Sequence, residues 1–131
     1  MSKVRVATHV FPKVFSELVL HELDPRYSRE SASILAESAM AFGTVLTRGA
    51  DGNYAPLKET DGTLGDAHAV YIGPGLAASS EVQSGLILRG YSIINGTNLV
   101  FDASVTLKAN AMNALRDRGF VVKEVPSDVD A

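Results

Sequence analysis

The side chains with the most direct chemistry in this chain are its three histidines, His9, His21 and His68, which would serve as metal ligands or as bases near neutral pH. None lies two to four residues from another histidine, and the chain has no cysteine, so the local ligand pairs of a single-domain metal site are missing. His9 and His21 are expected in solvent. His68 follows Asp66 at i+2, a spacing suited to a local hydrogen bond. The carboxylates Glu59, Asp61 and Asp66 flank a Gly-containing loop but lack the alternating ligand spacing and closing Glu of a calcium loop, so a solvated loop is expected there. Ser, His and Asp all occur without a Gly-x-Ser-x-Gly elbow. Gly73-Pro74-Gly75-Leu76-Ala77-Ala78, after the apolar run Val70-Tyr71-Ile72, has the outline of a dinucleotide fingerprint. No helical period follows Ala78, and Leu86–Arg89 runs into Gly90-Tyr91 where an acidic residue belongs. An ordinary loop is expected. These residues assign no catalytic, cofactor or metal site, and the chain reads as a non-enzyme without cofactor.

The elements that would have to position such residues must fit one domain, since 131 residues leave room for one core and an arm. A hydrophobic share of 46% against 21% charged is ordinary for a globular chain, which needs no disulfide at this size. The formal charge of -3 argues against nucleic acid, whose recognition rests on clustered Lys and Arg. No stretch approaches the ~18 apolar residues of a membrane span, and Met1-Ser2-Lys3-Val4-Arg5 is not followed by a continuous apolar signal region. The absence of cysteine suits synthesis in a reducing cytoplasm.

Along the chain, Gly43–Arg48 and Asn53–Leu57 read as strands around the turn Gly49-Ala50-Asp51-Gly52, with Pro56 placing the second strand at an edge or an end. Ala67–Ile72 and Leu86–Arg89 read as buried strands, with a loop between them and a bulge at Gly90 before Tyr91–Ile94. Asn95-Gly96 is a tight-turn pair. From Leu107 to Arg118, the spacing of Leu107, Ala111, Ala114 and Leu115 predicts a helix, with Ser104 or Thr106 as its cap and Gly119 just past its end. Phe120–Val125 follows as a last strand. The fold class is mainly β with one α-helix.

The N-terminal segment carries a different signal. Val4, Val6 and Val10 alternate with Lys3, Arg5 and His9, which is the period of a strand, and no hairpin mate is evident. Pro25 and the charges from Asp24 to Glu30 favour solvent, so residues 1–30 read as an extended arm and 31–131 as the body. The pattern leaves three readings open: an unstructured tail, a strand paired within its own domain, or a strand that adds itself to a partner's sheet edge.

From about Tyr27 onward the chain resembles the lambda-type tailed-phage head decoration protein family. The resemblance is carried by Tyr27-Ser28-Arg29-Glu30, by the hairpin from Gly43-Thr44-Val45-Leu46 to Asn53-Tyr54-Ala55-Pro56-Leu57, and by Leu86-Ile87-Leu88-Arg89-Gly90. Its most specific part runs from Leu99-Val100-Phe101-Asp102-Ala103 through the helix to Gly119-Phe120-Val121-Val122. The resemblance implies a compact β-clip-like body that assembles as a homotrimer on the outer surface of the expanded capsid at threefold positions. Its partner there is the major capsid protein, against which the N-terminal arm orders and which it stabilises. The arm residues matching this picture are Val4, Arg5, Val6, Thr8, Val10 and Phe11. Val14–Leu23 is more apolar than a short decoration arm requires, which leaves room for a second capsid contact. The alternative function is a small ligand-binding or hydrolytic β domain built on the Gly73–Gly75 and Glu59–Asp66 loops. A tail or other virion interaction module would use the same strand-addition physics.

Overall fold

The computed structural model describes residues 18–124. The strand pattern around Val4–Val10 and the segment after Glu124 lie outside these residues. The chain begins with β1 (Val19–Glu22), makes one helical turn over Pro25–Ser28, and enters β2 (Arg29–Ile34). Then come β3 (Val45–Arg48), β4 (Tyr54–Pro56), β5 (Glu59–Thr60), β6 (Thr63–Leu64), β7 (Ala69–Tyr71) and β8 (Gln83–Leu88). The last part is β9 (Ser92–Asn95), a 3-10 turn over Gly96–Asn98, the helix α1 (Lys108–Asp117) and β10 (Phe120–Lys123). The fold is therefore mainly β with one helix longer than a single turn.

Five strands close a barrel in the order β2-β4-β3-β7-β8, shut by the antiparallel β2–β8 pair from Arg29↔Leu88 to Ile34↔Gln83. The expected β3–β4 hairpin is present, in the register Leu46↔Pro56 to Arg48↔Tyr54, and β4 stops at the proline that has no amide to donate. Burial on both sides explains why Ala69–Ile72 reads as a continuous apolar run. Val45, Val70 and Leu88 face one cluster, and their neighbours Leu46, Ala69, Tyr71 and Ile87 face the barrel interior, so both faces are buried. Closure buries the inner face and the helix and second sheet cover the outer one, so neither face of these strands is left to carry the polar half of an alternation.

The second sheet has the order β1-β9-β10, with β1 antiparallel and β10 parallel to β9. A parallel neighbour needs a crossover, and α1 supplies it. Ala111, Met112 and Leu115 turn inward from the helix and join Leu18, Val19, Ile94, Phe120 and Val122 in the larger core cluster, between this sheet and the barrel. Fully burying a leucine such as Leu115 contributes roughly 1.5–3 kcal/mol. Gly119, at φ +99°, takes the left-handed position past the helix end that the sequence marks for it.

Several expectations are corrected. Residues 18–30 pack with the body: Leu18 is 1% exposed and β1 pairs with β9. Residues 18–30, expected within the arm 1–30, are therefore not extended away from the body, because burial of Leu18 and Val19 outweighs the polar signals around Pro25. Gly90 is no bulge within a strand. It has φ +146° and Tyr91 has φ +57°, and together they break the chain between β8 in the barrel and β9 in the other sheet. Asn95-Gly96 opens a 3-10 turn in which Asn95 Oδ1 accepts from the Thr97 amide at 3.1 Å. Within the Thr60–Asp66 loop, β5 and β6 form a small hairpin about Asp61-Gly62.

Candidate interaction surfaces

Two of the features that could have carried chemistry, Glu59 and the Gly73–Gly75 loop, are engaged in local packing and hydrogen bonds. Glu59, the first of the loop acids, braces the entry of α1. Its Oε1 accepts from the amides of Thr106 at 2.8 Å and Leu107 at 3.1 Å, and the Thr106 hydroxyl donates to the same carboxylate. The Thr106 amide foremost, with the Leu107 amide and the Thr106 hydroxyl, holds the Glu59 carboxyl below the usual carboxylate range. Ser104 returns the contact by accepting the Glu59 amide at 3.2 Å, and its own hydroxyl donates to Asp102 at 2.6 Å. This exchange follows the logic of a capping box, but its two halves lie 45 residues apart. Neither Ser104 nor Thr106 caps the helix as expected. Leu107 holds the cap position without a side-chain bond.

The Gly73-Pro74-Gly75 loop folds onto Tyr71, whose hydroxyl donates to the Pro74 carbonyl and whose phenol is pushed up by burial. A Cβ on Gly73 would stand 2.6 Å from that hydroxyl, so this glycine makes room for a ring. The segment from Leu76 to Val82 forms no helix, and Leu76 bridges to Met40. The fingerprint reading fails for want of the helix that would receive a phosphate. His68 Nδ1 lies 3.1 Å from the Asp66 carbonyl, the local contact its spacing suggests, and His21 is exposed on β1. His9 lies outside the described residues. Among the described residues no three His, Asp or Glu side chains converge on a possible metal position, and no helix is long and apolar enough to cross a membrane.

What the structure does present is an N-terminal strand leading in from the segment before it. Leu18 is fixed in the core beside Gly43 and Val100, and β1 is an edge of its sheet. The far end of β1 is tied to the barrel. Glu22 accepts from Arg29 Nη2 at 2.6 Å and Nε at 2.8 Å and from the Ser28 hydroxyl at 2.7 Å, and the Arg29 bonds hold its carboxyl below its ordinary range. A forked guanidinium pairing of this kind is geometrically specific. The expected contact residues Val4, Arg5, Val6, Thr8, Val10 and Phe11 lie outside the described residues.

The other surface of note is apolar. Among large hydrophobic residues, Leu20, Leu23, Tyr91 and Val121 are 41%, 75%, 51% and 50% exposed. All four belong to, or border, the β1-β9-β10 sheet. Sequence reading missed this face. Its signal was the alternation Phe120, Val121, Val122, Lys123, in which a valine falls on the solvent side.

The described residues thus form a mainly β body in which Glu59 braces the helix entry and which offers an edge strand and exposed apolar side chains. The chain belongs to the bacteriophage lambda head decoration protein D family, whose model matches residues 8–120. Its role is therefore structural, in the phage capsid. No curated protein gives a significant match.

Proposed function

We propose that the chain assembles as a homotrimer on the outer surface of the expanded capsid at threefold positions, where it bridges subunits of the major capsid protein and stabilises the shell. The segment before Leu18 is the gripping arm in this reading, with Val4, Arg5, Val6, Thr8, Val10 and Phe11 at the contact and the body beginning at Leu18. The observation that carries the reading is the family match, which reaches into the arm at residue 8. The position of Leu18 supports it, because the described chain begins one residue before an edge strand whose far end is clamped to the barrel by Glu22 and Arg29.

The mechanism needs no catalysis. A short added strand contributes a few net hydrogen bonds of about 1 kcal/mol each, so a single arm binds weakly. Three arms on one trimer make the later contacts intramolecular and raise avidity by roughly 10² to 10⁴ where geometry permits. A protein that binds the expanded shell better than its precursor stabilises the expanded state by mass action and favours expansion.

The test mixes purified full-length protein, and a variant starting at Leu18, with undecorated expanded capsids, and follows co-sedimentation. Full-length protein is expected to bind and to raise the temperature at which the capsids open. The variant should fold and lose most of its binding. Failure of the full-length protein to bind refutes the proposal, and equal binding by the shortened variant refutes the role of the arm.

A further inference from the structure

We propose that Asp61-Gly62 is the site at which the folded chain isomerises to isoaspartate, and that this slow modification loosens the entry of α1. The inference does not rest on capsid binding. A protein built into a capsid is not replaced after assembly, so slow backbone chemistry accumulates in it. Glycine follows an aspartate or asparagine at three places, Asp51-Gly52, Asp61-Gly62 and Asn95-Gly96. With no side chain, a glycine leaves its own nitrogen unshielded and its backbone free to turn, so that nitrogen can reach the preceding side chain's carbonyl carbon. At Asp61 the Gly62 nitrogen bonds to Cγ, and the carboxyl OH leaves with the amide proton as water. Solvent water then opens the five-membered imide. Opening at Cγ restores aspartate, whereas opening at the backbone carbonyl leaves the chain running through Cβ, one methylene longer. Asparagine follows the same course with ammonia as the leaving group.

In an unfolded chain Asn95-Gly96 reacts fastest, because an amide accepts the nitrogen more readily than an ionised carboxylate does. The fold reverses that order. Asn95 is 3% exposed in β9, the central strand of its sheet, and pairs with Lys123 of β10. Its Oδ1 accepts from the Thr97 amide at 3.1 Å. Gly96 is packed so closely that a Cβ would stand 2.9 Å from Val122 Cγ1 and 3.1 Å from Met112 Sδ. Turning the Gly96 nitrogen onto the Asn95 side chain therefore requires the sheet to open. Asp51-Gly52 is nearer the surface but is held at both reacting groups. Its carboxylate accepts from the Asn53 amide at 3.0 Å and from Asn53 Nδ2 at 3.2 Å, and the Gly52 amide donates to the Gly49 carbonyl at 2.9 Å.

Asp61-Gly62 is the open case. Both residues are exposed, and a Cβ on Gly62 would meet nothing within 4 Å. They form the two-residue turn between β5 and β6, with φ +52° and +77°. The hairpin consists of the pairs Glu59↔Leu64 and Thr60↔Thr63, and a ribbon of two such short strands is marginal in water. It opens locally at a cost far below that of opening a central strand. The turn also fixes the register of those pairs, and an added methylene breaks it. Glu59 sits in one of them, and its carboxylate receives the Thr106 and Leu107 amides at 2.8 and 3.1 Å. Displacing Glu59 takes the acceptor from both amides, and α1 loses the brace at its entry.

Full-length protein is incubated for weeks at neutral pH, either folded or in concentrated urea, and then digested with trypsin. Cleavage after Lys and Arg places the three dipeptides on separate fragments, Gly49–Lys58, Glu59–Arg89 and Gly90–Lys108. Isoaspartate in each is counted with an isoaspartyl methyltransferase, and deamidation by the change in mass from amide to acid. Folded protein is expected to carry about tenfold or more isoaspartate in Glu59–Arg89 than in either other fragment, and urea should move the lead to Gly90–Lys108. Asp61→Glu, whose longer side chain cannot close the five-membered ring, should lose the label from Glu59–Arg89. Asp61→Asn, which tolerates the left-handed turn, should gain it faster than the parent. Hydrogen exchange at the Thr106 and Leu107 amides should be faster in aged parent than in fresh, and unchanged by ageing in Asp61→Glu. A lead by another fragment in the folded protein, a label retained by Asp61→Glu, or no acceleration in Asp61→Asn overturns the assignment. Isoaspartate at Asp61 with unchanged exchange at Thr106 and Leu107 overturns the link to the helix.

Discussion

Replacing Gly90 with alanine adds one methyl at the crossing between barrel and sheet, and the structure lets its cost be worked out. The backbone there has φ +146°, a region nearly reserved for glycine, and holding another residue in such a conformation costs about 1–3 kcal/mol. The new Cβ would stand 2.7 Å from the Arg118 carbonyl oxygen, a backbone atom that no rotamer change can move. Relief requires the Arg118-Gly119 segment to shift, which strains the 3.0 Å bond from the Tyr91 amide to Gly119, worth about 1 kcal/mol. Reduced freedom of the unfolded chain returns about 0.4–1 kcal/mol. The net expectation is a loss of about 1–3.5 kcal/mol from a total stability on the order of 5–15 kcal/mol. For a body of this size that lowers the melting temperature by roughly 5 °C or more. Urea unfolding followed by far-ultraviolet circular dichroism measures it. Gly62→Ala is the control, because Gly62 has φ +77° and nothing within 4 Å of the added Cβ, so it carries backbone strain without collision. Equal losses for the two variants, or a Gly90→Ala loss below about 0.5 kcal/mol, would refute the reasoning, since the first removes the collision and the second removes both costs.

Leu115→Ala leaves a cavity in the cluster shared by helix, sheet and barrel and should cost about 2.7–5 kcal/mol in urea unfolding, so a loss under 1 kcal/mol would mean the helix repacks freely. Stability should fall as pH drops from about 4.5, because the Glu22, Glu59 and Asp102 carboxyls are held below their ordinary range in the folded state. Their contribution is complete above the unfolded carboxylate pKa and is lost progressively as pH falls through the lower folded values. Glu22→Gln should therefore flatten part of that acid limb of the melting-temperature profile, and an unchanged limb would exclude Glu22 from it.

Local chemistry made much of the fold legible in the sequence. The β3–β4 hairpin was marked by turn residues between two short apolar runs, and α1 by apolar spacing with a glycine beyond its end. These signals are contained within a few residues, as are the missing metal and nucleophile motifs, and the resemblance that pointed to the family was carried by the same segments. The barrel strands were readable as buried, but not their closure, because a continuous apolar run does not say which strands cover its two faces.

The remaining features depended on residues distant in sequence. β1 reads as part of an arm until its partner is known, and that partner, β9, lies some 70 residues along the chain. Glu59 looks like a loop acid until its carboxylate meets the amides of Thr106 and Leu107. Tyr91 follows a glycine that suggested a bulge, and only the packing of Gly119 against it sets the left-handed turn that displays the ring. Composition and near neighbours were enough to read a mainly β chain with one helix and without the residue spacings of a catalytic or metal site. That residues 18–30 pack with the barrel and sheet, what braces the helix and which apolar side chains stay exposed came from the fold, because each is set by a pairing that no local pattern encodes.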